Sequence, residues 1–280
     1  MIAKWLHGEY LKTIVLFELP DGKGGFSSHG TGVLVNYRNV FFLATCKHIV
    51  VKPDGNPYQR LHATINKVDG TSNRKDIEAI HSQFKLKWFF HKTATVDLAL
   101  SPIAIEQGVE DVKFIGEDLF EDFENLPVGD DVFFLGFPLA LGVRNVPKLS
   151  PLVRVGVVAL KNSDTTFFLD ANVYPGSSGS PVFYKPVLAQ MEGINTTIGA
   201  TRPVKLLGLV SSNINSVEEA ISKKTGRTRA VFEENAGLGI VQSTTLLKEI
   251  FNYSEVQDII PKTQEAQKVT ETSVEHAIAK

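Results

Sequence analysis

Three short segments of this chain carry residues that do chemistry when they meet. Residues 175–181 read Pro-Gly-Ser-Ser-Gly-Ser-Pro. Gly176 and Gly179 permit backbone angles and close approaches that a side chain obstructs, and Ser178 stands between them, ahead of the apolar pair Val182 and Phe183. A serine on such a turn presents its hydroxyl beside a backbone amide, which is how a nucleophile and an oxyanion hole are built. The segment equally fits a plain Gly/Ser turn between strands. In residues 41–50 an apolar strand ends at Thr45, and His48 follows three residues later among aliphatics. A histidine fixed at a strand end can serve as a base, or it is a structural histidine with satisfied hydrogen bonds. Within Val96-Asp97-Leu98-Ala99-Leu100 one carboxylate interrupts an apolar run. It needs a hydrogen-bonding partner, since an unpaired buried carboxylate is costly or shifts its pKa upward, although capping a turn is its other reading. In the order His48, Asp97, Ser178 the three residues point to a triad of base, orienting acid and nucleophile.

These segments sit among others in a familiar succession: Gly30-Thr31-Gly32-Val33-Leu34-Val35, Ala44-Thr45-Cys46-Lys47-His48, Leu135-Gly136-Phe137-Pro138, residues 170–181, Leu207-Gly208-Leu209-Val210-Ser211 and Gly237-Leu238-Gly239-Ile240. Over residues 12–250 the chain resembles the trypsin-like serine peptidases, specifically the disulfide-free bacterial branch with the glutamyl endopeptidases and the high-temperature-requirement proteases. The resemblance implies that Ser178 is the nucleophile, His48 the general base and then acid, and Asp97 the group that orients the imidazole. It places the oxyanion hole at the amides of Gly176 and Ser178, each such donor being worth ~3–4 kcal/mol in the transition state. It also makes Val210, Ser211, Ser212 and Asn213 the edge that pairs with substrate backbone, with Ser211 near enough to Asp97 to hydrogen-bond it. Asn172, the same edge and Gly237 to Gly239 would line the pocket for the residue before the scissile bond (P1). Asn172 offers no carboxylate for a cationic side chain, so a neutral or small P1 residue is expected. Asn213, where relatives often have glycine, would narrow that pocket.

Cys46 and Lys47 depart from the pattern, since relatives usually carry two small residues there. Cys46 can serve as a small apolar group, and Lys47 would depress the imidazole pKa unless its ammonium reaches solvent or a carboxylate. Neither change removes a catalytic atom.

The elements that must position these residues read as short β-runs at 13–17, 32–35, 40–44, 61–65, 84–90, 132–135, 152–159, 166–169 and 206–210, separated by Gly, Pro, Asn and Asp clusters. The fold class expected is all-β, with two antiparallel barrels of the six-stranded type and a C-terminal helix. Residues 1–120 would form the barrel carrying His48 and Asp97. Residues 121–252 would form the barrel carrying Ser178, closed by a helix over 243–251 that packs on it. Residues 253–280 would be a polar tail or linker. The acidic stretch 106–130 reads as the crossover, and the site would lie in the cleft between barrels.

The 280 residues, 43% of them hydrophobic, suffice for two small barrels. A net charge of −2 gives no electrostatic reason to expect nucleic acid, and no run reaches the roughly 18 apolar residues of a membrane span. One cysteine and an N-terminus without a long apolar region ahead of its charges suggest the cytoplasm. The histidines outside residue 48 lack metal-ligand spacing and no phosphate loop occurs, so neither metal nor other cofactor is expected.

The function expected is therefore a serine endopeptidase that works through an acyl-enzyme on peptide or protein substrates. An alternative keeps the triad but holds the oxyanion loop closed until an activating partner or ligand opens it, leaving a latent peptide-binding or scaffolding protein. Two segments motivate it: 185–203, rich in Thr, Gly and Ile, readable as a lid, and 219–233, whose Lys223, Lys224, Arg227 and Arg229 read as a basic loop or a solvated charged face. Hydrolysis of non-peptide esters is a third reading. Oligomeric state is not legible.

Overall fold

The computed structural model describes residues 7–126, 128–141, 148–163, 165–186, 189–192, 195–198, 203–262 and 264. The first half of the chain makes one eight-stranded sheet: β1 (Ile14–Pro20), β2 (Phe26–Tyr37), β3 (Val40–Thr45), β4 (His62–Asn66), β5 (Ser72–Asp76), β6 (Phe89–Phe90), β7 (Ala99–Pro102) and β8 (Ile115–Gly116). Their order is β5-β4-β1-β2-β3-β7-β6, with β8 parallel to β2 at Val35 and Asn36. The second half is a closed barrel of β9 (Asp131–Gly136), β10 (Leu152–Lys161), β11 (Thr166–Asp170), β12 (Pro181–Tyr184), β15 (Leu206–Ile221) and β16 (Thr228–Ser243). Between β12 and β15 in sequence, β13 (Ala189–Glu192) and β14 (Asn195–Ile198) pair, among the described residues, with each other alone, within the segment read as a lid. The expected all-β class holds, and the second unit closes as a six-stranded barrel. Among the described residues the first sheet instead runs as a path with two ends.

Alternation explains the barrel. Along β9 the run Val-Phe-Phe-Leu-Gly is buried on both faces, because one face fills the barrel and the other meets the first sheet. Three apolar cores result. One lies within the first sheet around Val15, Leu34 and Leu43, and one within the barrel around Phe134, Phe167 and Val241. The largest is shared, joining Leu16, Val35 and Phe42 to Phe133, Phe183 and Leu209. A shared core of this kind fixes the cleft walls against each other.

Two local expectations fail. Residues 84–90 do not form one strand: α2 (Ile77–Phe84) occupies the approach, capped by the Asp76 carboxylate accepting from the Ala79 amide at 3.1 Å and ended by Lys85 at φ 53°. The 219–233 segment is only partly a loop: 219–221 and 228–233 are the outer strands of the β15–β16 hairpin, paired out to Ile221↔Thr228, and Lys223, Lys224 and Arg227 lie on the tip that joins them. The last helices, α3 (Thr244–Phe251) and α4 (Ser254–Gln257), bury Leu247, Ile250, Phe251 and Val256. Rather than serving the second barrel alone, α3 reaches the first sheet, where Phe251 stacks on Tyr37 at 4.2 Å. The stretch read as a tail from residue 253 begins folded, with Ile260 5% exposed; residues 265–280 lie outside the described residues.

Candidate active site

His48 lies in the single-turn helix α1 (Lys47–Val50), directly after β3, and Asp97 lies just before β7, the neighbour of β3 in the sheet. Neighbouring strand ends bring the two side chains together. One Asp97 oxygen accepts from the His48 backbone amide at 3.0 Å and the other meets Nδ1 of the imidazole at 2.6 Å. A carboxylate that holds both the main chain and the ring of one residue fixes the ring's rotation, and it places a proton on Nδ1 so that Nε2 is left as the acceptor. Partial exposure of the imidazole leaves it open to the cleft.

Ser178 comes from the barrel, on the turn between β11 and β12. Gly179 permits that turn twice over: its φ is +84°, and a Cβ there would stand 1.9 Å from the carbonyl oxygen of Thr31. Gly176, at φ +94°, likewise abuts the Phe137 carbonyl. The Pro175 carbonyl accepts from the Leu139 amide at 2.8 Å, and the Ser177 amide donates to Tyr174 at 2.9 Å. Among the described residues the amides of Gly176 and Ser178 have no acceptor, the condition an oxyanion hole requires. The Ser178 hydroxyl donates to the Ser211 carbonyl at 3.1 Å, and no hydrogen bond joins it to His48.

Thr31 on β2 ties the two halves into one geometry, a role its place between Gly30 and Gly32 hides in the sequence. Its amide donates to the Ser178 carbonyl at 2.9 Å, and its hydroxyl donates to the Gly176 carbonyl at 2.8 Å while accepting from the Phe137 amide at 3.1 Å. Its carbonyl accepts from the Thr45 hydroxyl at 2.7 Å, three residues ahead of His48. The signal available in advance was a polar side chain inside an apolar strand, which must be hydrogen-bonded when fully buried. His91, just after β6, is a second buried polar residue with a partner. Nε2 of its buried ring meets Glu249 of α3 at 2.7 Å, which anchors the start of the loop leading to Asp97.

Cys46 is fully buried and donates from Sγ to the Val210 carbonyl at 3.2 Å, the same oxygen that accepts from the Gly179 amide at 2.7 Å. Burial and the nearby Asp97 carboxylate push its thiol pKa well above the ordinary value. Cys46, His48 and Asp97 offer ligand atoms within 4.8 Å of one another, but a protonated thiol bonded to a carbonyl and an imidazole already bonded to the carboxylate do not suit a metal ion. Lys47 reaches over the Phe90 ring, 5.6 Å from its centroid.

Of the residues expected to meet substrate, Val210 is buried in β15, Ser212 is exposed, and Asn213 is half-buried and hydrogen-bonded to Asn215. The Ser211 hydroxyl donates to the Ile240 carbonyl at 3.2 Å and not to Asp97, whose two oxygens meet His48. Across β16, Asn172 Oδ1 lies 3.7 Å from where a Cβ on Gly237 would be, and Gly239 is pressed against Val173.

A family profile for the trypsin-like peptidase domain matches residues 30–185, more than half of the chain. The chain therefore belongs to that family, whose class is the serine endopeptidases, hydrolases of the peptide bond. No curated protein matches the chain. Among solved structures it is similar to an HtrA-type protease with a bound tripeptide, at 16% identity and a TM-score of 0.48 over 90% of this chain and 61% of that one. It is also similar to a serine endoprotease from Yersinia pestis, at 16% identity and a TM-score of 0.49 over 89% of this chain and 65% of that one. The chain thus spans less than two thirds of the length of these structures.

Proposed function

We propose that this protein is a serine endopeptidase acting on peptide or protein substrates through an acyl-enzyme. The observation that carries the reading is the double hold of Asp97 on His48, together with a glycine-bounded serine on a turn where, among the described residues, the amides of Gly176 and Ser178 have no acceptor. Ser178 Oγ turns from the Ser211 carbonyl toward Nε2 of His48, gives up its proton there and bonds to the substrate carbonyl carbon. The carbonyl oxygen takes the negative charge, facing the amides of Gly176 and Ser178. The C–N bond then breaks as His48 returns the proton to the leaving amine. Water, deprotonated by His48, attacks the ester, and Ser178 leaves with the proton restored.

Asn172 beside Gly237 gives the P1 pocket an amide and no charge, supporting a neutral or small P1 residue. A cytoplasmic location belongs to the same proposal and rests on the single cysteine, a free buried thiol.

The gated reading requires an oxyanion loop that is closed. In such a loop the Ser178 amide would be taken by a backbone carbonyl, yet the Pro175 carbonyl is already held by Leu139, which favours the competent form. A fluorophosphonate probe tests both. Incubated with purified protein, it is expected to add its mass at Ser178 within minutes and to leave a Ser178→Ala control unchanged. Absence of labelling would overturn the proposal in favour of the gated protein.

A further inference from the structure

Beyond Ser211 the strand β15 runs on to Ile221, and only one of its edges is paired. Its ladder to β12 stops at the Pro181↔Leu209 pair, with Gly179 and Ser180 bonding Val210 just beyond, whereas β16 accompanies it to Ile221. Among the described residues the other edge of 212–221 therefore carries no ladder partner. From 215 outward nearly every residue of β15 and its mate is exposed on both faces. A two-stranded ribbon this exposed is marginal by itself, and a bare edge is a template for another strand.

Two observations say what that strand is. The first is continuity: the free edge begins at Ser211, whose carbonyl holds the Ser178 hydroxyl at 3.1 Å, so a peptide with its P1 residue at the nucleophile already lies alongside β15. The second is charge. The shaft of the ribbon carries Glu218, Glu219, Glu233 and Glu234, and among the described residues none has an ion-pair partner. The register sets Val217 opposite Glu233 and Glu219 opposite Val231 on one face, and Glu218 opposite Phe232 on the other. Each face therefore offers carboxylates beside exposed apolar surface, with Val217 58% and Phe232 55% exposed. That combination suits lysine and arginine, which lay an apolar stem along the surface and end in a cation.

We infer that the β15 ribbon extends the substrate edge, so that the part of a substrate upstream of the scissile bond adds as an antiparallel strand along 212–221 and is preferred when it is basic. The inference rests on the peptidase reading and names the substrate class of that site. With P1 beside Ser211 and one substrate residue for each residue of β15, P8 comes beside Glu218 and P9 beside Glu219. Pairing over the whole edge spans roughly 33 Å, at about 3.3 Å per residue. Main-chain hydrogen bonds supply the affinity and the glutamates the selectivity. The cations Lys223, Lys224, Arg227 and Arg229 at the far end of the ribbon confine the preference to the shaft.

The test uses the full chain and quenched fluorogenic peptides sharing one P4–P3′ core. Some are extended upstream to P11 with lysine at P8 and P9, others with glutamate there, and others are extended downstream by the same length. The lysine peptide is expected to show a KM about tenfold below that of the core, and the glutamate peptide little gain. In the E218Q/E219Q double variant the ratio of lysine-extended to core peptide is expected to fall toward one. A gain below twofold for both upstream peptides, an equal gain for lysine and glutamate, or an equal gain for the downstream extension would overturn the inference. So would sedimentation showing the ribbon occupied by a second copy that the lysine peptide fails to displace. If no core peptide is cleaved and Ser178 is not labelled, the peptidase reading fails by itself. Fluorescence anisotropy of the labelled upstream peptides on the Ser178→Ala chain then still decides the ribbon: a preference for lysine supports it, and no binding overturns it.

Discussion

The two halves of this molecule secure the edges of their sheets by different means. In the barrel the backbone does the work: β9 to β12 with β15 and β16 complete a ring of ladders, and the interior cluster around Phe134, Phe167 and Val241 is apolar. In the first sheet the ladder ends at β5, and side chains hold that edge. Buried Glu18 bonds Arg74 of β5 at 2.9 Å and also accepts from the Thr64 hydroxyl. Buried Glu110 takes Lys75 at 2.7 Å and Asn73 at 2.9 Å, both from β5. A ring of main-chain hydrogen bonds is indifferent to side-chain charge, whereas an edge pinned by ion pairs depends on it. The half that holds His48 and Asp97 is thus the chemically vulnerable one, and the half that holds Ser178 is the robust one.

Replacing Asp97 by Asn isolates the contribution of the first half. It leaves the serine turn untouched but removes the carboxylate that fixes the imidazole, and kcat/KM is expected to fall by about 10⁴, as removal of an orienting carboxylate does in related sites. Kinetics with a peptide substrate check this, and a loss below tenfold would place the orienting role elsewhere. Lys75→Met tests the pinned edge. It strands a buried carboxylate, so urea unfolding should lose about 3–5 kcal/mol, or less if Asn73 alone suffices. An unchanged midpoint would mean that β5 is held by its ladder to β4, and the contrast between the halves would vanish.

The smallest effect concerns acid. His29 and His81, both in the first half, have lowered pKa values, chiefly through burial, with the charge of His48 adding to the effect at His29. The unfolded chain binds protons at these sites from about pH 6.5 downward, where the folded chain still resists them. Stability should therefore fall as pH drops below 6.5, until the lowered folded values are passed. Thermal unfolding between pH 7 and 5 is expected to show this slope, reduced in His29→Asn and His81→Gln. A slope unaltered by both substitutions would assign the acid sensitivity to other groups.

The strands β9 to β12, the inner part of β15 and the glycine-bounded turn were legible in the sequence, because buried strands write themselves as apolar runs and special turns demand glycine, whereas β16 was not read as a strand. Thr31 was not, since a hydroxyl bonded on several sides looks like any threonine in a strand. Nor was the ribbon: with both faces in solvent, 215–234 has no core to impose a period of two, and its glutamates and lysines read as loop. The helix α2 was missed for a related reason. Its cap, Asp76, is also the last residue of β5 and pairs with His62 there, so no loop composition separated the two elements.

Cys46 sits where the two halves meet, with its sulfur on the Val210 carbonyl of the barrel. It is the single cysteine of the chain and is sealed from solvent. A thiol reagent can reach it only when that seam parts, so the rate at which the native protein is alkylated is a clock for separation of the half that holds His48 and Asp97 from the half that holds Ser178, built in without any engineered label.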